Sequence, residues 1–225
     1  TYDWMVDTPT NNYATLNPLN TSGGTLSAAN LQYVTTNAGT NDHVTGTIEF
    51  PNGTWYCEVT VTASSGANAP FIGIADTQAA NYFDTSVVAY YGYNGNRALS
   101  GSLAAYGATY TTNDVIGVAF DRSSNTVEFF KNNSSQGVIT GVSASSKFLW
   151  LNDGSSSGYA TFAVNFGQRP FAYTPPTGFK ALCTANMPAG TVTTSGSFTV
   201  NAAADGPFVW LNGSPTAMTI NGNSV

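Results

Sequence analysis

With 225 residues, 42% of them hydrophobic and 13% aromatic, the chain can bury one sizeable core, and one main domain is expected. Charged residues make up only 8%, six Lys and Arg against twelve Asp and Glu; the net charge of −6 and pI near 4.3 argue against nucleic acid as a partner, because a phosphate backbone needs clustered cations. No apolar run approaches the roughly 18 residues that span a bilayer, and no basic-then-apolar signal segment opens the chain, so no membrane insertion is expected.

In chain order, the first forty or so residues are rich in Asn and Thr and contain LNPLNTSGG (16–24). They predict an irregular arm with one or two short edge strands, anchored by Trp4 and Leu16. Over 55–61 strict alternation puts Trp55, Cys57, Val59 and Val61 on one face and Tyr56, Glu58 and Thr60 on the other, a half-buried strand. Residues 79–108 are rich in Tyr, Gly and Ala, and YYGYNGNR (90–97) has turn chemistry at Asn94-Gly95, which predicts a hairpin with an exposed tip. Val115–Phe120 and Thr126–Phe130 flank RSSN and predict another hairpin, with Lys131-Asn132-Asn133 leading into a further turn. FAVNFGQRPF alternates up to Tyr173-Thr174-Pro175-Pro176, where two prolines without N–H donors must end strand pairing. After Met187-Pro188 the composition shifts to small polar residues with Asp205-Gly206, Asn212-Gly213 and Asn221-Gly222 turns, which reads as a β-rich extension or the start of a second, incomplete domain over 189–225. The chain starts at Thr1 and stops at Val225 in mid-pattern, as expected of an excerpt of a longer protein. Short strands between turn clusters, with almost no helical periodicity, make the expected class all-β, a sandwich or barrel.

Four blocks in order, GTWYCEVTVT (53–62), FIGIADT (71–77), NDVIGVAFDRSSNTVEFFKNNSSQG (113–137) and FAVNFGQRPFAYTPPTGFKAL (162–182), resemble a SPRY-type (B30.2-like) domain. The resemblance covers roughly residues 1–186 and is most specific in IGVAFD, EFFKNN and NFGQRPF. It implies an antiparallel two-sheet, concanavalin-like β-sandwich over 1–188, including the arm. On that fold Gly73 and Gly117 sit at close approaches, Phe129, Phe166 and Phe171 fill the space between the sheets, and Asp121 bonds neighbouring backbone N–H groups of its turn. The last block and PTNNYATLNPL (9–19) are similar to SPRY modules of bacteriophage virion appendages.

Candidate chemistry is sparse. Cys57 and Cys183 could pair once or remain free and buried. Without a Cys-x-x-Cys, and with His43 the only histidine, no metal or cofactor is expected. Glu49, Glu58 and Glu128 lie on polar strand faces and could meet in a groove as a glycosidase would need, but no paired spacing supports a cleft, and no serine has the glycines of a nucleophile elbow. No catalytic residues are assigned. For recognition, flat rings stack on sugar faces while amides and Arg bond hydroxyls. Ligand contacts in SPRY modules come from loops at one end of the sandwich, so the resemblance points to Tyr91, Tyr93, Asn94, Asn96 and Arg97. The alternative is that these tyrosines alternate between core and sheet surface. Trp150 and Asp153 form a second candidate loop.

The expected function is that of a non-enzymatic phage virion structural protein, in a tail fibre, capsid fibre or similar appendage, attaching to a host-surface glycan or contacting other virion proteins. A homo-oligomer, such as a trimer, is expected with it. The alternatives are a glycan-cleaving enzyme on a jelly-roll sandwich and a purely structural spacer or decoration protein.

Overall fold

The computed structural model describes residues 11–36, 41–65, 70–154 and 158–188, together with the backbone of 219–220 and 223–224. Two compact units divide the chain, Thr1–Pro188 and Ala189–Val225. The first contains β1 (Leu16–Ser22), β2 (Thr25–Ser27), β3 (Gln32–Val34), β4 (His43–Gly46), β5 (Thr54–Ser65), β6 (Phe71–Ala75), β7 (Val88–Tyr91), β8 (Asn96–Leu99), β9 (Ser102–Ala105), β10 (Val115–Asp121), β11 (Thr126–Lys131), β12 (Ser134–Ile139), β13 (Phe148–Asn152), β14 (Tyr159–Asn165) and β15 (Lys180–Ala181). In the second unit β16 (Thr219–Ile220) pairs antiparallel with β17 (Asn223–Ser224). Trp4, Asp205-Gly206, Asn212-Gly213 and Asn221-Gly222 lie outside the described residues.

The strands of the first unit form two sheets, one of seven in the order β1-β4-β13-β6-β7-β8-β9 and one of eight in the order β12-β11-β10-β5-β14-β3-β2, with β15 added parallel to β5. All other pairings are antiparallel. The alternation along β5 decides what lies between the sheets. Trp55, Cys57, Val59 and Val61 point inward with Ile116, Val118 and Phe120 of β10, and meet Ile72, Ile74, Leu149 and Leu151 of the opposing sheet in one continuous core. Leu16 is fully buried in the same core and ties in the arm. Cys57 and Cys183 are both buried and free.

The outer faces depart from a simple half-buried pattern. Tyr56 and Glu58 point away from the core yet are 2% and 3% exposed, because segment 166–182 folds back over them. Phe171 packs edge-on against Tyr56 at 5.0 Å, so it covers the outside of the eight-stranded sheet instead of filling the space between sheets, unlike Phe129 and Phe166. Pairing of β14 stops at Asn165, ahead of Pro175-Pro176. On the other sheet, Phe71, Ala75, Ala89, Tyr91, Ala98 and Trp150 form a second buried cluster beneath the 76–87 loop, and Trp150 Nε1 donates to the Ala79 carbonyl at 3.1 Å. The fully buried Lys147 ties this loop down: its ammonium donates to the Ser86 carbonyl and to the Ser143 and Ser145 hydroxyls.

Turn chemistry follows the sequence closely. The Asp121 carboxylate accepts from Ser123 N, Ser124 N and the Ser124 hydroxyl. Partial burial pulls its pKa up, but these hydrogen bonds outweigh that and hold it below the usual carboxylate value. Gly117 leaves room for the Tyr56 ring, whose hydroxyl would lie 2.5 Å from an added Cβ.

Candidate functional site

Strand direction brings one set of loops to a single end of the sandwich. Tyr91 ends β7 and Asn152 ends β13 at one end of the seven-stranded sheet, Ser65 ends β5, Val115 starts β10 and Lys131 ends β11 at one end of the eight-stranded sheet, and residues from both sets of loops line one depression. The β7–β8 hairpin carries Tyr90–Arg97 there. Its turn requires Gly95, which has φ +73° and whose missing Cβ leaves space for the Gly107 carbonyl. The Asn94 side chain accepts from Asn96 N at 3.0 Å and caps the same turn.

The five residues singled out from sequence therefore divide. Tyr93 is 54% exposed at the tip. Tyr91 is buried, stacked on Phe71 with ring centroids 4.0 Å apart, and burial, with the nearby Tyr82 and Tyr93, pushes its hydroxyl up to about 12. Asn94 is exposed on the turn, while Asn96 and Arg97 are partly buried in β8, Arg97 opposite Tyr90 and Ala104. Tyr93 alone of the five lines an open depression of about 400 Å³, together with Ser64, Ser65, Gly92, Thr109, Tyr110, Thr111 and Lys131.

The walls of this depression are polar but nearly neutral. Ser64 Oγ lies 3.2 Å from Thr111 Oγ1 and 3.3 Å from Thr112 Oγ1. Tyr110 forms the floor; its hydroxyl donates to the Tyr90 carbonyl at 2.7 Å with the Pro70 carbonyl at 3.0 Å, and burial keeps it well above its ordinary pKa. Lys131 Nζ donates to the Thr109 carbonyl at 2.8 Å and pairs with Asp114 at 3.4 Å, the one ion pair among the described residues. Asp114 also accepts from Thr111 N and Asn132 Nδ2, so it fixes the depression's wall while balancing the lysine. Such a surface suits a ring stacking on Tyr93 and hydroxyl groups meeting Ser, Thr and Lys donors. Sequence reading missed Ser64, Ser65, Thr109, Thr111 and Lys131 as site residues. They come from three segments that only the sandwich brings together, and none has a local signature.

Of the three glutamates singled out from sequence, Glu58 and Glu128 are engaged in the fold. Glu58 Oε2 accepts from Ala172 N at 2.7 Å, and Oε1 accepts from Tyr173 N at 2.9 Å and from the Tyr56 hydroxyl at 3.2 Å. Glu58 is thus a buried clamp on segment 166–182 and not a solvated group. Glu128 accepts from the Ser135 hydroxyl of β12, and Glu49 is exposed beyond the end of β4. Asp42 accepts from Thr36 N and Oγ1, while Asp153 Oδ1 accepts from Asp42 N, which joins two loops at the same end of the fold. Trp150 and Asp153, the second candidate pair, are both buried. Among the described residues no group of three or more His, Cys, Asp and Glu is placed to hold a metal ion, and no helix is long and apolar enough to cross a membrane.

A sequence profile of the SPRY domain matches residues 54–150. Among solved structures, the chain is similar to the SPRY domain of human HERC1 at 16% identity, covering 69% of this chain and 99% of that one with a TM-score of 0.62. A second human SPRY domain matches at 14% identity over 67% and 99% of the two chains, TM-score 0.52. Stonustoxin matches at 15% identity over 68% of this chain and 27% of its own, TM-score 0.53. At these identities the likeness is one of fold. No curated protein sequence matches the chain.

Proposed function

From the premise that residues 54–150 carry a SPRY domain, we propose that this chain is a non-enzymatic binding module of a bacteriophage virion appendage. It attaches to a host-surface glycan through the loop end that carries Tyr93, and contacts other virion proteins through the rest of its surface. The observation that carries this reading is the exposed Tyr93 ring at the mouth of a hydroxyl-rich, charge-balanced depression. An exposed aromatic beside several hydroxyls and one amine matches what a sugar face needs: a flat apolar surface and donors around its rim. The non-enzymatic part is supported by Glu58, whose two oxygens are engaged by backbone N–H groups, leaving it unsuited to acid or base work. The phage assignment rests on the wording of residues 9–19 and 162–182.

A glycan array with the whole chain tests the reading. We expect a defined set of saccharides to bind, with Tyr93→Ala losing at least tenfold in affinity while its melting temperature stays near wild type. Binding that survives Tyr93→Ala would remove the site, and no binding on an array of bacterial surface glycans would remove the attachment role. Immunolabelling of intact particles tests location: label on an appendage is expected, and label absent from purified virions would contradict the assignment.

A further inference from the structure

The seven-stranded sheet ends in a strand that nothing among the described residues protects. β9 pairs only with β8, and Ser102, Leu103, Ala104 and Ala105 are all exposed, Leu103 at 38%. The other three terminal strands carry the usual protections. β1 holds Pro18 and an irregular register between Leu16 and Thr21, β12 pairs through a register shift opposite Glu128 to Phe130, and β2 has three residues only. β9 has no proline, no lysine and no bulge.

The hairpin geometry fixes which backbone groups this edge presents. Its turn is Ser100-Gly101, with φ 50° and 79°, the two-residue type I′ arrangement. In such a hairpin the pairs Leu99–Ser102 and Arg97–Ala104 exchange the hydrogen bonds, so the N–H and C=O groups of Leu103 and Ala105 point away from β8. Residues 98–108 contain no charged side chain. A second copy can therefore lie antiparallel on this edge with no like charges opposed. The exposed ring of Phe83, 60% accessible, borders the same edge, because its carbonyl lies beside Gly101 at the hairpin tip.

We infer that β9 is a self-pairing edge, through which two copies of the chain join antiparallel about a two-fold axis at Ala104. In this register Leu103 of each copy lies opposite Ala105 of the other, and these pairs exchange both backbone hydrogen bonds. Ala104 faces its counterpart without steric conflict, and the sheet continues across both copies. The contact is short, so the association is weak and concentration-dependent, in the range of about 10–500 µM.

Sedimentation velocity of the full 225-residue chain over that range tests the inference, with Ala105→Pro and Leu103→Lys as variants. Proline at 105 removes one outward N–H while leaving the inward Arg97–Ala104 pair; lysine at 103 places like charges across the axis. Wild type should move from the mass of one chain to that of two, and both variants should remain at one with unchanged far-UV dichroism. Amide exchange at Leu103 and Ala105 should slow with rising wild-type concentration. A one-chain mass at the highest concentration, a three-chain mass, or a dimer indifferent to both substitutions would overturn the inference; the first would leave the edge to a foreign strand.

Discussion

Replacing Glu58 tests most sharply whether the buried carboxylate serves the fold or a reaction. Its three hydrogen bonds, at 2.7, 2.9 and 3.2 Å, are made by a carboxylate that is only 3% exposed. Hydrogen bonds to a charged group contribute roughly 1.5–3 kcal/mol each. Ala172 is exposed and Tyr173 partly so, which lets water recover some of the loss and favours the lower end for both backbone bonds. Two backbone bonds at about 1.5 kcal/mol each and the Tyr56 bond at about 1.5–3 kcal/mol make Glu58→Ala cost about 4.5–6 kcal/mol. Glu58→Gln keeps one acceptor oxygen but turns an amide N–H₂ toward a backbone donor, and should cost about 2 kcal/mol. For a unit of this size a kcal/mol shifts the melting temperature by about 2–4 °C, so losses of roughly 9–24 °C for Ala and 4–8 °C for Gln are expected. Calorimetry and urea unfolding measure both, and glycan binding below the transition should remain. Melting temperatures within about 2 °C of wild type would refute the clamp. So would a glycan-cleaving activity in wild type that folded Glu58→Gln lacks.

Tyr91→Ala and Tyr93→Ala should separate support from contact: the buried Tyr91 costs about 3–5 kcal/mol of stability, the exposed Tyr93 less than about 0.5 kcal/mol, as read by urea midpoints. Alkaline unfolding should be steep. Burial raises the hydroxyl pKa of Tyr33, Tyr56, Tyr90 and Tyr110, and takes Tyr91 and Tyr106 to about 12, so their share of stability is complete below the ordinary pKa of 10 and is lost as pH rises through the folded values. A pH series from 8 to 12.5 followed at 295 nm should show tyrosine ionisation coinciding with loss of β dichroism; gradual ionisation without unfolding would contradict it. Gly95→Ala should cost about 1–3 kcal/mol through its positive φ and the adjacent Gly107 carbonyl, with a melting curve as the check. Native protein should show no fast thiol titre, since Cys57 and Cys183 are buried and burial pushes the Cys57 thiol up; both should react in denaturant.

Much of the architecture could be read along the chain because its signals are local. The period-two alternation of Trp55 to Val61 identifies the inner face of β5, and Asp121 with Asn125 marks the β10–β11 turn. Residues covered by a second layer escaped such reading. Glu58 and Tyr56 sit at outward positions, and only the return of segment 166–182 buries them; Phe171, apolar and near the strand, belongs to that covering layer. The same applies to Tyr91, whose partners Phe71 and Tyr82 come from another strand and a loop. At the candidate site, Tyr93 was legible because an aromatic beside Asn-Gly marks an exposed tip. Lys131 and the Ser and Thr hydroxyls were not, because their convergence depends on which strand ends share one pole of the sandwich.

Recognition is proposed at the Tyr93 end. Its most direct test is backbone amide mapping by NMR during titration with a saccharide that binds on the array. Shifts should concentrate at Ser64, Ser65, Gly92–Gly95, Thr109–Thr111 and Lys131. Perturbation confined to β9, to β12 or to the 76–87 loop, with those amides unmoved, would contradict the account.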